Sequence, residues 1–412
     1  MDRLYTCCCG LDVHKQTVVA CLIQPTAEVG QAKTIRTFGT MTADLDALAE
    51  WLAEAGCSHV AMESTGVYWK PIYNRLEGRF TILVANAKHI KTMPGRKTDV
   101  KDCEWIADLL QHGLLTPSFI PSQAQRELRD LTRTRTTLID ERSRVVLRLQ
   151  KVLEDANIKL AGVASDIMGV SARAMLEALV AGTTDPALVA NLAKGKLREK
   201  RAQLEQALAG RMTDHHRLMI SSHLTHIDFL DEQIEQLNLV IAERLRPFEV
   251  ELHRLETIPG IGRRTAEVLA AEIGLDMSYF PSAAHLASWA GMCPGNQESA
   301  GKRKTGKTRK GSKWLRRALV QAAQAAARKK GCYPATQFRR LVVRGGAKKA
   351  LVAVGHTLLV TVYYLLTRQE DYHDLSPVQL NGELRTRAKK RAIQQLEALG
   401  FTVSLSSNPV AA

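Results

Sequence analysis

The chain is poor in aromatic residues, which make up 5% of its 412 positions, and short of acid, with 42 Asp and Glu against 57 Lys and Arg. It has no run of eighteen apolar residues, so a membrane-spanning helix is not expected. Its first residues, MDRLYTCCCGLDVHK, lack the layout of a signal peptide, and a cytoplasmic protein with no membrane partner is expected. The eight cysteines form no Cys-x-x-Cys pair, which argues against zinc. Cys7, Cys8 and Cys9 are consecutive, and three neighbours on one strand cannot all turn towards one metal, so reduced, buried thiols are expected. What the chain does have is base. The formal charge is +15, and its excess is greatest between Lys302 and Arg317. A basic surface of this kind fits a polyanion, whether DNA, RNA or an anionic membrane.

The length allows two or three domains. Residues 1–120 read as alternating strands and helices. Strands are predicted at Leu4–Leu11, Thr17–Gln24 and Ala32–Phe38, joined by short turns as an antiparallel meander. A helix over Ala43–Ala55 follows, then short buried strands at His59–Glu63 and Phe80–Ala85, and a last helix from about Asp99 to His112. That order of elements is the one found in the α/β ribonuclease H-like fold.

Residues 121–250 read as a coiled-coil region with a helical insert at about 160–213. Ser122 and Gln125 form a predicted capping box. Behind it, Leu128, Leu131, Arg135, Leu138, Arg142, Val145, Leu149 and Val152 follow a seven-residue repeat with two basic interruptions. A second long helix at about His215–Arg246 carries its own apolar stripe, and the stripes are expected to pair across subunits. Residues 251–370 form a further helical unit, and 371–412 a polar, basic tail.

Four carboxylates stand where this reading of the fold can use them. Asp12 ends the first strand and Glu63 the fourth, and two central strands would set them side by side, where mutual repulsion favours a bound cation or a shared proton. Asp99 and Asp102, three apart, share one face of the last helix. Together they match a two-magnesium phosphoryl-transfer site. Taken singly, each is as readily a turn or helix-start acid. Asp108, further along the same helix, is the rival pick if the register is shifted. Tyr68 and Trp69 can stack on a base or brace a helix start, and packing is the commoner fate.

In the second half, LETIPGIGRRTAEVLAAEIG reads helix, tight turn, helix, with Gly260 and Gly262 placed where backbone amides can meet a phosphate. A structural glycine turn is the plainer alternative. A glycine-rich loop follows, with Lys302, Arg303, Lys304, Lys307, Arg309 and Lys310, and then a helix opening with Lys313, Arg316 and Arg317. All of these are candidate nucleic-acid contacts. Ser299, flanked by Ala300 and Gly301, is sterically open for attack on phosphorus, although composition alone leaves Thr305, Thr308 and Ser312 equally eligible. No histidine lies in this loop to serve as base, and the N-terminal carboxylates with bound Mg²⁺ are the expected source of activation.

The motifs GLDVHK, ESTGVYWKP, KTDVKDCEWIADLLQHG, IPGIG and GMCPGNQESAGKRKTGKTRKGSKWLRRAL occur in that order along nearly the whole chain. In them the chain resembles the DEDD transposases of insertion sequences, the "one-ten" family with its "eleven-eleven" subgroup. The resemblance implies a RuvC-like N-terminal domain whose tetrad maps to Asp12, Glu63, Asp99 and Asp102. It also implies a coiled coil and a C-terminal transposase domain in which Ser299 forms a phosphoserine link to DNA. Ala300 stands where family members often carry glycine, which stiffens the loop. Mg²⁺ as cofactor, target and donor DNA as substrates, and a guide-type non-coding RNA from the same element follow from the resemblance. Cutting and exchanging two half-sites calls for a homo-oligomer, a dimer or tetramer. A metal-only junction-resolving nuclease and a non-enzymatic nucleic-acid scaffold are the alternatives.

Overall fold

A computed structural model describes residues 3–25, 31–64, 66–87, 90, 102–295, 297–299, 302–305, 307–374, 389–390, 393–398 and 400–403. The chain divides into two compact units, Met1–Pro121 and Ser122–Ala412.

The first unit is built on a five-stranded sheet. Its strands are β1 (Cys8–Val13), β2 (Thr17–Pro25), β3 (Gln31–Gly39), β4 (His59–Glu63) and β5 (Thr81–Ala85), and they lie side by side as β3-β2-β1-β4-β5. The first three form an antiparallel meander, while β4 and β5 run parallel to β1 through crossovers by α1 (Thr42–Glu54) and α2 (Trp69–Leu76). The strand predicted from Leu4 starts at Cys8 instead. Leu4 and Tyr5 bond through their amides to the carbonyl of Gln111, and the Leu4 side chain is 63% exposed.

Alternation along β1 sorts its side chains between two cores. Cys9, Leu11 and Val13 pack with Leu48 and Leu52 of α1 on one face. Cys8 packs on the other with Ile106, Ala107 and Leu110 of α3 (Asp102–Gln111). Between them Gly10 lets α3 lie directly on the strand: a Cβ there would stand 2.3 Å from the Cys103 carbonyl oxygen and 2.4 Å from the Ala107 nitrogen. No larger residue fits, so Gly10 fixes the height of α3 above the sheet. The cysteines are free thiols, buried except for half-buried Cys7 and Cys293. Burial pushes Cys8 and Cys57 up to about 12, as befits inert core residues.

The second unit is helical. Helix α4 (Gln123–Asp155) runs antiparallel to α9 (Asp214–Leu245), with the short α5 (Leu160–Val163), α6 (Val170–Val180), α7 (Pro186–Ala190) and α8 (Arg201–Leu208) inserted between them. Val145, Leu149 and Leu153 pack with Ile220, Leu224 and Ile227 around the insert. At the other end Leu128 meets Ile241 and Leu245 in a core shared with α10 (Glu249–Glu256), α11 (Arg263–Ile273), α12 (Ala283–Trp289), α13 (Lys313–Arg328) and α15 (Ala347–Arg368). The stripes expected to pair across subunits are therefore consumed within one chain. The basic interruptions also have internal partners: Arg135 reaches Glu267 at 2.6 Å and Asn238 at 3.1 Å, and Arg142 pairs with Asp231.

The predicted capping box fails in its details. Ser122 precedes α4 but makes no side-chain cap, and Gln125 donates instead to the Ala271 carbonyl at 3.2 Å. Helix α14 (Tyr333–Gly345) completes the unit. Helix α15 is long and apolar enough by length and composition to cross a membrane, a property not expected from the sequence. Half of its apolar window is buried in the protein, with Val354, Leu358, Leu359 and Val362 in the core, as in the central helix of a helical domain.

Candidate active site

The sheet brings the first two carboxylates together. Strands β1 and β4 pair in parallel register up to Leu11 opposite Met62, so the next residues along, Asp12 and Glu63, are neighbours at the carboxyl ends of the two central strands. Neighbouring strands stand about 4.8 Å apart. Both residues fall on the face that holds Cys8 and Ala61, which is the face covered by α3. Asp102 opens α3, and the Cys103 thiol behind it is close enough to Asp12 to feel its charge. The strand register sets Asp12 and Glu63 side by side, and Asp102 begins the helix that covers their face. The fourth proposed carboxylate, Asp99, lies outside the described residues.

The Asp12 side chain is 26% exposed and lies 3.1 Å from His14 Nε2. His14 was not singled out in the sequence, although GLDVHK contains it. A tight turn, in which the His14 amide bonds to the Thr17 carbonyl at 2.9 Å, folds it back over the strand end. Asp108 belongs elsewhere: Lys33 holds it in an ion pair of 2.7 Å. Among the described residues no three Asp, Glu, His or Cys side chains form a ready metal cage. Asp12, Glu63 and Asp102 are all carboxylates, the oxygen donors that hard divalent cations take. Trp69 packs edge-on against Tyr73 and joins the sheet core, the bracing alternative, while Tyr68 is 43% exposed.

The serine segment forms a hairpin of β6 (Gln297–Ser299) and β7 (Lys302–Thr305), with Ser299 opposite Lys302 at its tip. Pro294 bridges Thr308, and the Gly295 amide bonds to the Lys307 carbonyl at 2.8 Å, closing the stem. Of the rival hydroxyls, Ser312 is committed. It caps α13 through the Leu315 amide and donates to the buried Glu272 at 2.8 Å.

The candidate phosphate contacts divide. Arg309, Lys310 and Lys313 are exposed, with Lys313 also lying 4.9 Å over the Trp314 ring. Arg317 instead makes a two-pronged ion pair with Asp140, and Arg316 holds the carbonyls of Gly291 and Arg309. Each spends two N–H donors inside the fold, so its position is set first by these partners. Gly260 is likewise a packing residue: with φ +91°, its Cβ position falls 2.3 Å from the Ala322 carbonyl oxygen in α13. At Gly262, just before α11, a Cβ would meet none of the described residues within 4 Å, so packing does not hold that position to glycine.

Residues 9–158 match the transposase domain of the DEDD, IS110 type, and residues 252–338 match the domain described as transposase, IS116/IS110/IS902 family. The first match runs from the sheet of the first unit through α4 of the second, and the second match lies within the helical unit. Both are domains of the IS110 family.

Similar proteins include the pilin gene-inverting protein of Moraxella lacunata, 36% identical over 144 residues, which is 34% of this chain and 42% of that protein. The transposase for insertion sequence element IS1111A of Coxiella burnetii is 31% identical over 30% of this chain and 34% of its own length. The transposase for insertion sequence element IS1328 of Yersinia enterocolitica is 38% identical over 26% of this chain and 32% of its own length. The chain spans between about a third and two fifths of the length of these relatives.

Proposed function

We propose that this chain is a DNA transposase, a recombinase that cuts and rejoins strands using a carboxylate tetrad and a serine nucleophile. The observation that carries the reading is the register of β1 and β4, which makes Asp12 and Glu63 neighbours on the sheet face covered by α3, inside a segment similar to DEDD transposases. In this reading the sheet is a RuvC-like, ribonuclease H-like one. Asp12, Glu63, Asp99 and Asp102 would hold Mg²⁺, which when bound offsets charge on the transferring phosphoryl group. Two carboxylates at adjacent strand ends repel one another, and a cation removes that cost.

Ser299 Oγ attacks the DNA phosphorus, the bond from phosphorus to the leaving strand oxygen breaks, and a phosphoserine diester forms. The serine proton passes to a general base, and the leaving oxygen takes up a proton from solvent. The cations of the β6–β7 hairpin and of the segment behind it offset the phosphate charge. Target and donor DNA are the substrates. A guide-type RNA encoded by the element and a dimeric or tetrameric assembly complete the reading by similarity to the family.

The test is a denaturing gel with labelled DNA. The parent chain is expected to give a covalent adduct, and Ser299→Ala none. Asp102→Asn is expected to lose the adduct too while still binding DNA. A normal adduct from Ser299→Ala refutes the serine mechanism in favour of a metal-only nuclease. If no magnesium-dependent cleavage occurs at all, the chain is a binding scaffold.

A further inference from the structure

Charge in the second unit is more one-sided than the 302–317 segment alone suggests. Between Asp276 and Glu370 the sequence holds a single carboxylate, Glu298. The fold gathers part of this basic stretch around an open groove of about 1000 Å³ at the stem of the β6–β7 hairpin. Lys307 and Arg316 line it from the hairpin side, and Lys348, Lys349 and His356 line it from α15, some forty residues further along. No carboxylate is among the lining residues described. The floor is apolar, with Met292, Val352 and Ala353. His356 is half-buried, and burial holds its pKa below the ordinary value, so the ring enters the groove neutral near pH 7.

The groove also contains a polar group with an unmet need. Gln337 on α14 donates its Nε2 to Thr357 Oγ1 at 2.9 Å, and that hydroxyl donates in turn to the Ala353 carbonyl at 3.2 Å. These two bonds fix which way the amide faces. Its Oε1 is then a buried acceptor with no hydrogen-bond partner among the described residues. That oxygen is shielded from solvent beside the groove, and a donor satisfies it once the side chain turns outward. Exocyclic amino groups of nucleobases are such donors.

A duplex presents its phosphates outwards and keeps its bases stacked inside, so it has no use for an apolar floor with an acceptor set in it. A single strand has both needs: cations along the backbone and an apolar surface for unstacked bases. We infer that this groove binds a single-stranded segment of the substrate DNA, its phosphates on Lys307, Lys348 and Lys349 and a base over Met292 and Val352 within reach of Gln337. The inference rests on the transposase reading and adds to it that DNA is held unpaired at the stem of the serine hairpin.

Fluorescence anisotropy with a labelled single-stranded DNA, its duplex, and an RNA of the same sequence tests it on the full chain. Lys348→Ala/Lys349→Ala is expected to weaken single-strand binding about tenfold and lower its salt slope by about 1.4. Duplex binding should stay within about twofold of the parent. Gln337→Leu, which changes no charge, should weaken single-strand binding to a smaller degree, with an unaltered melting temperature as the check on folding. Photocrosslinking of iodouracil-bearing single strands is expected to label peptides containing Met292 or His356.

Equal loss of single-strand and duplex binding, no loss of either, or crosslinks confined to other peptides overturns the inference. Preferential binding and crosslinking of the RNA overturns the assignment to DNA. The two readings fail separately. A normal adduct from Ser299→Ala removes the serine mechanism and leaves the groove intact. Unaltered single-strand binding in the Lys348/Lys349 variant removes the groove and leaves the serine.

Discussion

Gly260 and Gly262 sit two residues apart in one turn and meet opposite surroundings. A side chain at Gly260 would enter the backbone of α13 and would also carry a positive φ of 91°, while at Gly262 it would meet nothing within 4 Å. Gly260→Ala is therefore expected to cost about 2–4 kcal/mol, from overpacking and left-handed backbone together. Gly262→Ala should cost about 1 kcal/mol or less. Thermal unfolding separates them, and equal melting temperatures would refute the packing role of Gly260. The turn's sequence, IPGIG, announced two glycines but not which of them faced a helix sixty residues away. The carboxylates were more legible. Glu63 ends β4 and Asp12 stands one residue before the end of β1, strands whose apolar runs are plain in the sequence, and parallel pairing of β1 with β4 does the rest. Asp12→Asn is expected to abolish recombination while leaving DNA affinity within about twofold, since one ligand matters to a shared site far more than to a whole basic surface. Strand exchange assays beside binding assays decide it, and full exchange by the variant would remove the metal-site reading.

At the scale of elements, the long helices show where pattern runs out. A seven-residue stripe states that a helix has an apolar seam and is silent on whether the partner lies in the same chain. Here α4 and α9 meet each other: Leu149 is fully buried among Ile220, Leu224 and the insert, and Leu138 is packed against the same core. Arg135, a break in the repeat by sequence, is 2% exposed and answered by the nearly buried Glu267, a pairing legible only once α11 is seen beside α4. A consequence follows for any test of assembly. Leu149→Asp places a carboxylate in a dry core and is expected to cost about 4 kcal/mol or more. The outcome should be loss of cooperative unfolding in the second unit, not a folded monomer. Circular dichroism and light scattering together check this, and a well-folded monomer would return the stripe to the subunit interface.

For the whole molecule the governing quantity is where its charge sits. Arg316 and Arg317 lie within the densest basic segment, yet one holds two carbonyls and the other Asp140, so counting cations along the sequence overstates the phosphate contacts. Lys302, Arg303 and Lys304 belong to the hairpin, in β7. Each contact to duplex DNA lowers the logarithm of affinity by about 0.9 per tenfold rise in salt, because binding releases condensed counterions. Neutralising these three with Gln should flatten the slope by about 2.7 if all three meet phosphate. Arg317→Gln should leave the slope almost unchanged and lower the melting temperature instead, because what it loses is the bond from α13 to Asp140 of α4. A salt titration of the two variants against the parent separates contact from scaffold. A slope that falls by about 0.9 in Arg317→Gln would mean that the Asp140 pair opens when DNA arrives. The ion pair would then be a resting partner that phosphate displaces, and the basic face would be larger on DNA than in the free chain.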